Sequence, residues 1–390
     1  MRVLEPEPKG PPSTAPEDSS MLWERILPFE FWYLRKYIIT RPRVKTAWYR
    51  VMYFLACFLY IYSILALFAV RVEAVPTSDP AYAVMFLIQA LLYVLMPFVS
   101  FRFVDDILLS DDVPLLFSEA MQFDPRFQWK FQAFAHFNFS LALVALTVYS
   151  VLSEFGVLSM CTSIFFTTLF FTPYVYAYSL LLVLLEAYRL QATKFISDLK
   201  SKKHDYIVSH SSSDVEIGGE RMPQSNSTGP FGSDMELINR YYTLHSRCLY
   251  TSEKRGKEIL CIFLSAIVTA VGSAYGALTR QFSFLSIFLF TLIAILVVLQ
   301  IGMSMATVNE MGTLVCRELC TYHMHCLCHG NANNCSATER EVTNRFFNLI
   351  VYSKFEIYFF GNFALRSKTL IAILGSITAA IIPSIIIRVM

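Results

Sequence analysis

Charge is what this sequence has least of. Only 16% of its 390 residues are Asp, Glu, Lys or Arg, where a soluble domain carries about 25%. The deficit is concentrated: seven stretches contain no charged residue at all. They run Val51–Val70, Pro80–Phe101, Phe131–Ser153, from about Met160 to Leu185, Ile259–Leu278, Gln281–Thr307 and Thr369–Ile387. A helix needs about 20 apolar residues to cross roughly 30 Å of hydrocarbon, and each stretch is long enough. An ordinary soluble domain is excluded.

Other absences narrow the function. With no acid or base at membrane depth, an ion-coupled pump or transporter is disfavoured. The chain shows no nucleophile elbow, phosphate-cradling glycine loop or zinc-protease motif, so neither enzyme activity nor a cofactor is expected. No nucleic-acid partner is expected either. Residues 1–20 hold five prolines and several acids instead of a basic start and an apolar core, which leaves the first span as the insertion signal.

What is present is a strong asymmetry of Lys and Arg. Nine precede the first span, and three, eleven and six lie in the loops after spans two, four and six. The opposite side receives only Arg71, Arg280 and Arg388. The basic side faces the cytoplasm, which puts the amino terminus inside and, after seven spans, the carboxy terminus outside. The expected fold is an all-α membrane protein with long cytoplasmic helical extensions, lodged in the lipid bilayer of the plasma membrane. This orientation is opposite to that of a G-protein-coupled chemoreceptor, the alternative reading. That class also usually shows an acidic-Arg-Tyr triplet after span three and Asn-Pro-x-x-Tyr in span seven, both missing here.

The chain divides accordingly. Residues 1–45 form a cytoplasmic tail whose aromatic and basic segment 22–39 suits an interfacial helix. Residues 46–186 carry spans one to four. Residues 187–258 form a cytoplasmic loop in which the Ser/Gly-rich stretch 201–234 reads as disordered. Spans five and six occupy 259–308, a cytoplasmic loop and anchor helix 309–366, and the last helix 367–390. The apolar segment Thr343–Leu365, broken by Lys354 and Glu356, reads as the packed cytosolic helix of that loop.

Several side chains invite a chemical reading. Cys316, Cys320, Cys326 and Cys328, interleaved with His323, His325 and His329, offer soft ligands, yet C-x3-C and C-x-C match no standard zinc spacing. A cysteine-tolerant loop in a reducing compartment is the plainer account, with acylation a further option. His136, near the inner end of span three, reads as a hydrogen-bonded packing residue. Gln89, Tyr149, Phe165, Phe166 and Tyr275, in the outer halves of their spans, are candidates to line a cavity for a small molecule of unknown identity. With 34 Phe and 21 Tyr in the chain, packing competes at each of them. The sequons at Asn226 and Asn334 fall on the cytoplasmic side and should stay unglycosylated, whereas Asn138 lies inside a span.

The inverted seven-helix plan and the carboxy-terminal run Phe359-Phe360-Gly-Asn-Phe363-Ala-Leu365-Arg-Ser-Lys-Thr-Leu370, continuing to Gly375-Ser376-Ile377-Thr378, resemble the insect gustatory receptor family and its nematode relatives. The family ends in Thr-Tyr, five apolar residues and Gln-Phe. Here those pairs are Ala379-Ala380 and Ile386-Ile387, with Pro383 between. The resemblance implies a homo- or heterotetrameric ligand-gated cation channel, its last helix lining a central pore and its cytoplasmic loops forming the subunit contacts. By position Thr378, Ile382 and Ile386, four apart on one helical face, would be pore-lining. Without the Gln that stripe is more apolar, and an apolar constriction gates by dewetting. The chain then conducts only when ligand dilates the pore, or serves as a non-conducting subunit, or keeps the fold without a channel role.

Overall fold

The computed structural model describes residues 112–127, 157–213, 230–278, 284–329, 355–359 and 363–389, with separate positions between 58 and 144 and at 348. Five helices and one two-stranded hairpin make up the described elements. They are α1 (Asp112–Phe123), α2 (Val157–Ser213), α3 (Pro230–Leu278), α4 (Phe284–His329), β1 (Tyr358–Phe359), β2 (Phe363–Ala364) and α5 (Ser367–Val389).

Three of the helices are unusually long. α2, α3 and α4 have 57, 49 and 46 residues, well beyond the roughly 20 a bilayer requires. Their extra length packs as a bundle. Along α4 the buried positions include Ala294, Val298, Ile301, Met305, Val308, Gly312, Val315 and Leu319, spaced alternately four and three, with Gly302, Ala306 and Asn309 buried beside them. α3 answers with Leu237, Tyr241, Leu244, Cys248, Thr251, Glu258 and Ile262. A repeat near 3.5 keeps one seam of each long helix facing its neighbour. α2 lies against α4 and α1 against α2.

Polar contacts fix the register where the bundle leaves its apolar zone. Glu119 on α1 accepts from Arg247 Nη1 of α3 at 2.9 Å and from Gln191 of α2, so one carboxylate ties three helices. The buried Tyr188 hydroxyl of α2 donates to the Arg247 carbonyl at 3.0 Å and accepts from Thr251 Oγ1 at 2.7 Å. After α1 the chain turns at Asp124, which accepts from the Arg126 amide at 3.0 Å and pairs with Lys130 at 2.7 Å. Both hold its carboxyl below the ordinary value.

The described positions between 84 and 107 are helical and two-faced. Val84, Leu87, Ile88, Leu91 and Leu95 are exposed, while Met96, Ser100, Phe103, Val104 and Ile107 are buried. A contiguous exposed stripe of large aliphatic side chains suits lipid, not water. Among the described residues Leu292–Tyr322 is the one helical stretch that is long and apolar enough to cross a membrane. The remaining expected spans fall wholly or partly outside the described residues.

Three sequence expectations change. Residues 201–213 continue α2 and 230–234 open α3, so the whole of 201–234 is not disordered. Ser-rich composition did not stop a helix that packing upstream had already nucleated. The Cys316–Cys328 stretch belongs to α4 and not to a loop, with Arg317 exposed and Cys316, Glu318 and Cys320 half-buried. Thr343–Leu365 does not run through as one helix, because Tyr358–Phe359 and Phe363–Ala364 pair as antiparallel strands, with Tyr358 opposite Ala364 and Phe359 opposite Phe363.

Candidate functional site

The last helix is the element to which the sequence pointed. α5 buries Leu370 and Ile377 and half-buries Ile373 and Leu374, a stripe at helical spacing that meets α3 and α4. Its other face is bare. Ile371 is 68% exposed, and Ala372, Gly375, Ser376, Thr378 and Ala379 are exposed beside it. A Cβ on Gly375 would meet nothing within 4 Å. The hydroxyls on this face are turned inward to their own helix: Ser376 Oγ donates to the Ala372 carbonyl at 2.9 Å and Thr378 Oγ1 to the Leu374 carbonyl at 2.8 Å. That satisfies a polar group on an otherwise apolar surface.

The start of α5 is mounted on α4. Leu370 fills the notch left by Gly302, where a Cβ would overlap its Cδ1. Ten residues further along α4, nearly three turns, Phe355 crosses so close to Gly312 that its carbonyl occupies the space of a side chain there. Between the two, Asn309 receives the hairpin. Arg366 Nη2 meets Glu356 Oε1 at 2.8 Å, with the Glu356 side chain only 4% exposed. Ser367 donates to Glu310. Ser252 Oγ of α3 accepts from the Tyr358 amide at 3.0 Å.

Beneath this mounting lies a buried aromatic and thiol cluster. Tyr241 contacts Cys316 Sγ at 3.8 Å and stacks on His245 at 6.0 Å. Burial raises the Tyr241 and Cys320 groups above their ordinary values and lowers the His245 imidazole. Cys248 is buried and raised for the same reason, which makes it a packing thiol. Cys316 and Cys320 sit one turn apart on α4, both half-buried. Among the described residues no three His, Cys, Asp or Glu side chains gather as a metal site, and the side chains of Cys326 and Cys328 lie outside the described residues.

The other candidates divide in the same way. Thr378 is described and exposed, whereas Ile382 and Ile386 belong to α5 with side chains outside the described residues. Phe165 and Phe166 belong to α2 and Tyr275 to α3, again without described side chains, and Gln89 and Tyr149 lie outside the described residues. His136 is exposed on a helical position. Sequence reasoning missed Asn309 and the two notch glycines, whose partners lie far away in the chain, and the pairing of Glu356 with Arg366.

The sequence matches no family model and no curated protein. The structure does match. It superposes on the insect olfactory receptor OR5 from Machilis hrabei in complex with eugenol, with a TM-score of 0.60 over 95% of this chain and 96% of that one. The chain has the all-α fold of an insect olfactory receptor. Sequence identity is 10%, so the likeness lies in the arrangement of helices and not in conserved side chains. It spans essentially the whole of both chains.

Proposed function

We propose that this chain is a subunit of a chemosensory-type ligand-gated cation channel in the plasma membrane, with seven spans and a cytoplasmic amino terminus. The observation that carries this reading is the full-length superposition on an insect olfactory receptor. It adds to the resemblance of the carboxy-terminal run to gustatory receptors. α5 is the pore helix of this reading, and Thr378, Ile382 and Ile386 form its lining stripe. The bare face of α5, Ile371 to Ala379, is surface available to a central axis in a homo- or heterotetramer. The ligand is a small organic molecule, taken between helices, with Gln89, Tyr149, Phe165, Phe166 and Tyr275 as lining residues. Taste is the sensory branch to which the terminal motif points.

A second reading, a non-conducting subunit, is favoured by Ile386-Ile387 in place of Gln-Phe. Whole-cell recording separates the two. The chain is expressed with an epitope at Met1 and challenged with a panel of volatile and soluble organics. Ligand-evoked cation current from surface-delivered protein supports the channel. Surface protein that stays silent, alone and with co-expressed receptor subunits, overturns it. The epitope should be stained only after permeabilisation.

A further inference from the structure

Asn309 stands in an apolar seam. Its neighbours along the buried side of α4 are Met305, Val308 and Gly312, and it is itself 1% exposed. A carboxamide in such a place costs free energy unless every polar atom is used. Here every one is. Oδ1 accepts from the Ile357 amide at 2.8 Å, and Nδ2 donates to the Leu365 carbonyl at 2.8 Å and to the Ile357 carbonyl at 3.3 Å.

The placement of those partners matters. Ile357 immediately precedes β1 and Leu365 immediately follows β2, so one side chain grips both limbs of the hairpin at its base. The Glu356–Arg366 pair closes the same base from the flanking positions. Two residues beyond Leu365 α5 begins, and its first-turn Leu370 is seated at Gly302 on the same α4. A Leu at 309 could fill comparable space, but it would leave the Ile357 amide and the Leu365 carbonyl without these partners. Directional bonds fix an orientation in a way that apolar contact does not.

We propose that Asn309 is the positioning residue for the last helix. It makes the hairpin and the first turn of α5 move with α4 as one body, so that displacement of α4 reaches α5 through the Leu365 carbonyl. The importance of that coupling for gating rests on the reading of α5 as a pore helix; the coupling itself does not.

Hydrogen–deuterium exchange on the full-length chain in lipid nanodiscs tests this directly. Asn309→Ala should speed exchange across 355–370 by about tenfold, as expected when buried backbone partners lose their bonds, while the rest of α4 changes little. Leu319→Ala, a cavity variant on the same helix away from the hairpin, should lower thermal stability without that local signature. Because Asn309→Ala also leaves a void, the isosteric Asn309→Asp serves as the second variant. It retains the acceptor for the Ile357 amide but loses the Nδ2 donor to the Leu365 and Ile357 carbonyls, so peptides covering the start of α5 should speed more than the one containing Ile357, whose amide keeps its partner. Unchanged exchange over 355–370 in both variants, or an equal rise in Leu319→Ala, overturns the proposal. A wild-type chain that never conducts removes the pore reading and leaves this result standing. A conducting chain with unchanged exchange does the reverse.

Discussion

The carbonyl oxygen of Phe355 lies where a β-carbon on Gly312 would have to be placed. The backbone before the hairpin therefore rests directly on the backbone of α4, and the only side chain that permits it is a hydrogen atom. The Gly302–Leu370 contact is of another kind. There the obstacle is the far end of a Leu side chain, which can rotate away.

These two glycines should consequently respond differently to the same substitution. Gly312→Ala must displace backbone and should destabilise the chain by about 3 kcal/mol or more, at or above the upper end of overpacking costs. Gly302→Ala should cost about 1 kcal/mol, partly offset by the better helix propensity of Ala. Thermal melts of the purified variants in one detergent give the order, and equal losses would contradict it.

Tyr188 is a second test of the buried polar contacts. Tyr188→Phe keeps the ring, including its edge contact with Phe355 at 6.4 Å, and removes only the hydroxyl. The Arg247 carbonyl and Thr251 Oγ1 each lose a partner, for an expected loss of about 1–3 kcal/mol. Adding Thr251→Val should recover part of it, because the stranded hydroxyl is then gone. A strictly additive pair would show that the two groups do not depend on one another.

His245 sets a pH dependence. Burial holds its imidazole below the ordinary value of 6.5, so as pH falls the unfolded chain binds the proton first. The stability conferred by neutral His245 is complete above about pH 6.5 and declines as the pH drops through and below that value. His245→Phe, which keeps the stack on Tyr241, should flatten this part of the melting-temperature profile. An unchanged slope in the variant would assign it to other groups.

The exposed aliphatic face of the second charge-free stretch makes a prediction about lipid. Leu91→Lys, near the middle of Pro80–Phe101, should impair membrane insertion by about 2.5–3.5 kcal/mol. Thr243→Lys, on an exposed position of α3 outside the charge-free stretches, should be neutral. Protease protection of the in vitro translated chain reads both. Equal insertion of the two variants would mean that Leu91 does not meet hydrocarbon.

The parts of this fold that are local in sequence were readable in it, and the parts that are long-range were not. Charge-free limits mark where a helix would leave the hydrocarbon, and the last four charge-free stretches fall in α2, α3, α4 and α5, the one from 281 to 307 only from Phe284 onward. They do not say where a helix ends. Ala192, Phe195, Ile196 and Leu199 are buried while Lys194 and Lys200 are exposed, an amphipathic period that carries α2 onward past its membrane exit. The hairpin was hidden because Glu356 looks like the polar side of a helix until Arg366 is brought against it. Asn309 had no signal at all, since its partners lie 48 and 56 residues away. Of the last helix, the resemblance supplied a role, and the structure added a bare face and a mounting.

The central claim is that α5 lines a cation pathway, and unitary current through a modified Thr378 tests it most directly. Single channels of Thr378→Cys are recorded before and after a cationic methanethiosulfonate reagent, with the parent chain treated identically as the control for its native cysteines. The account predicts a stepwise fall in unitary conductance in the variant alone. Conductance that is the same after complete modification of that cysteine would contradict it.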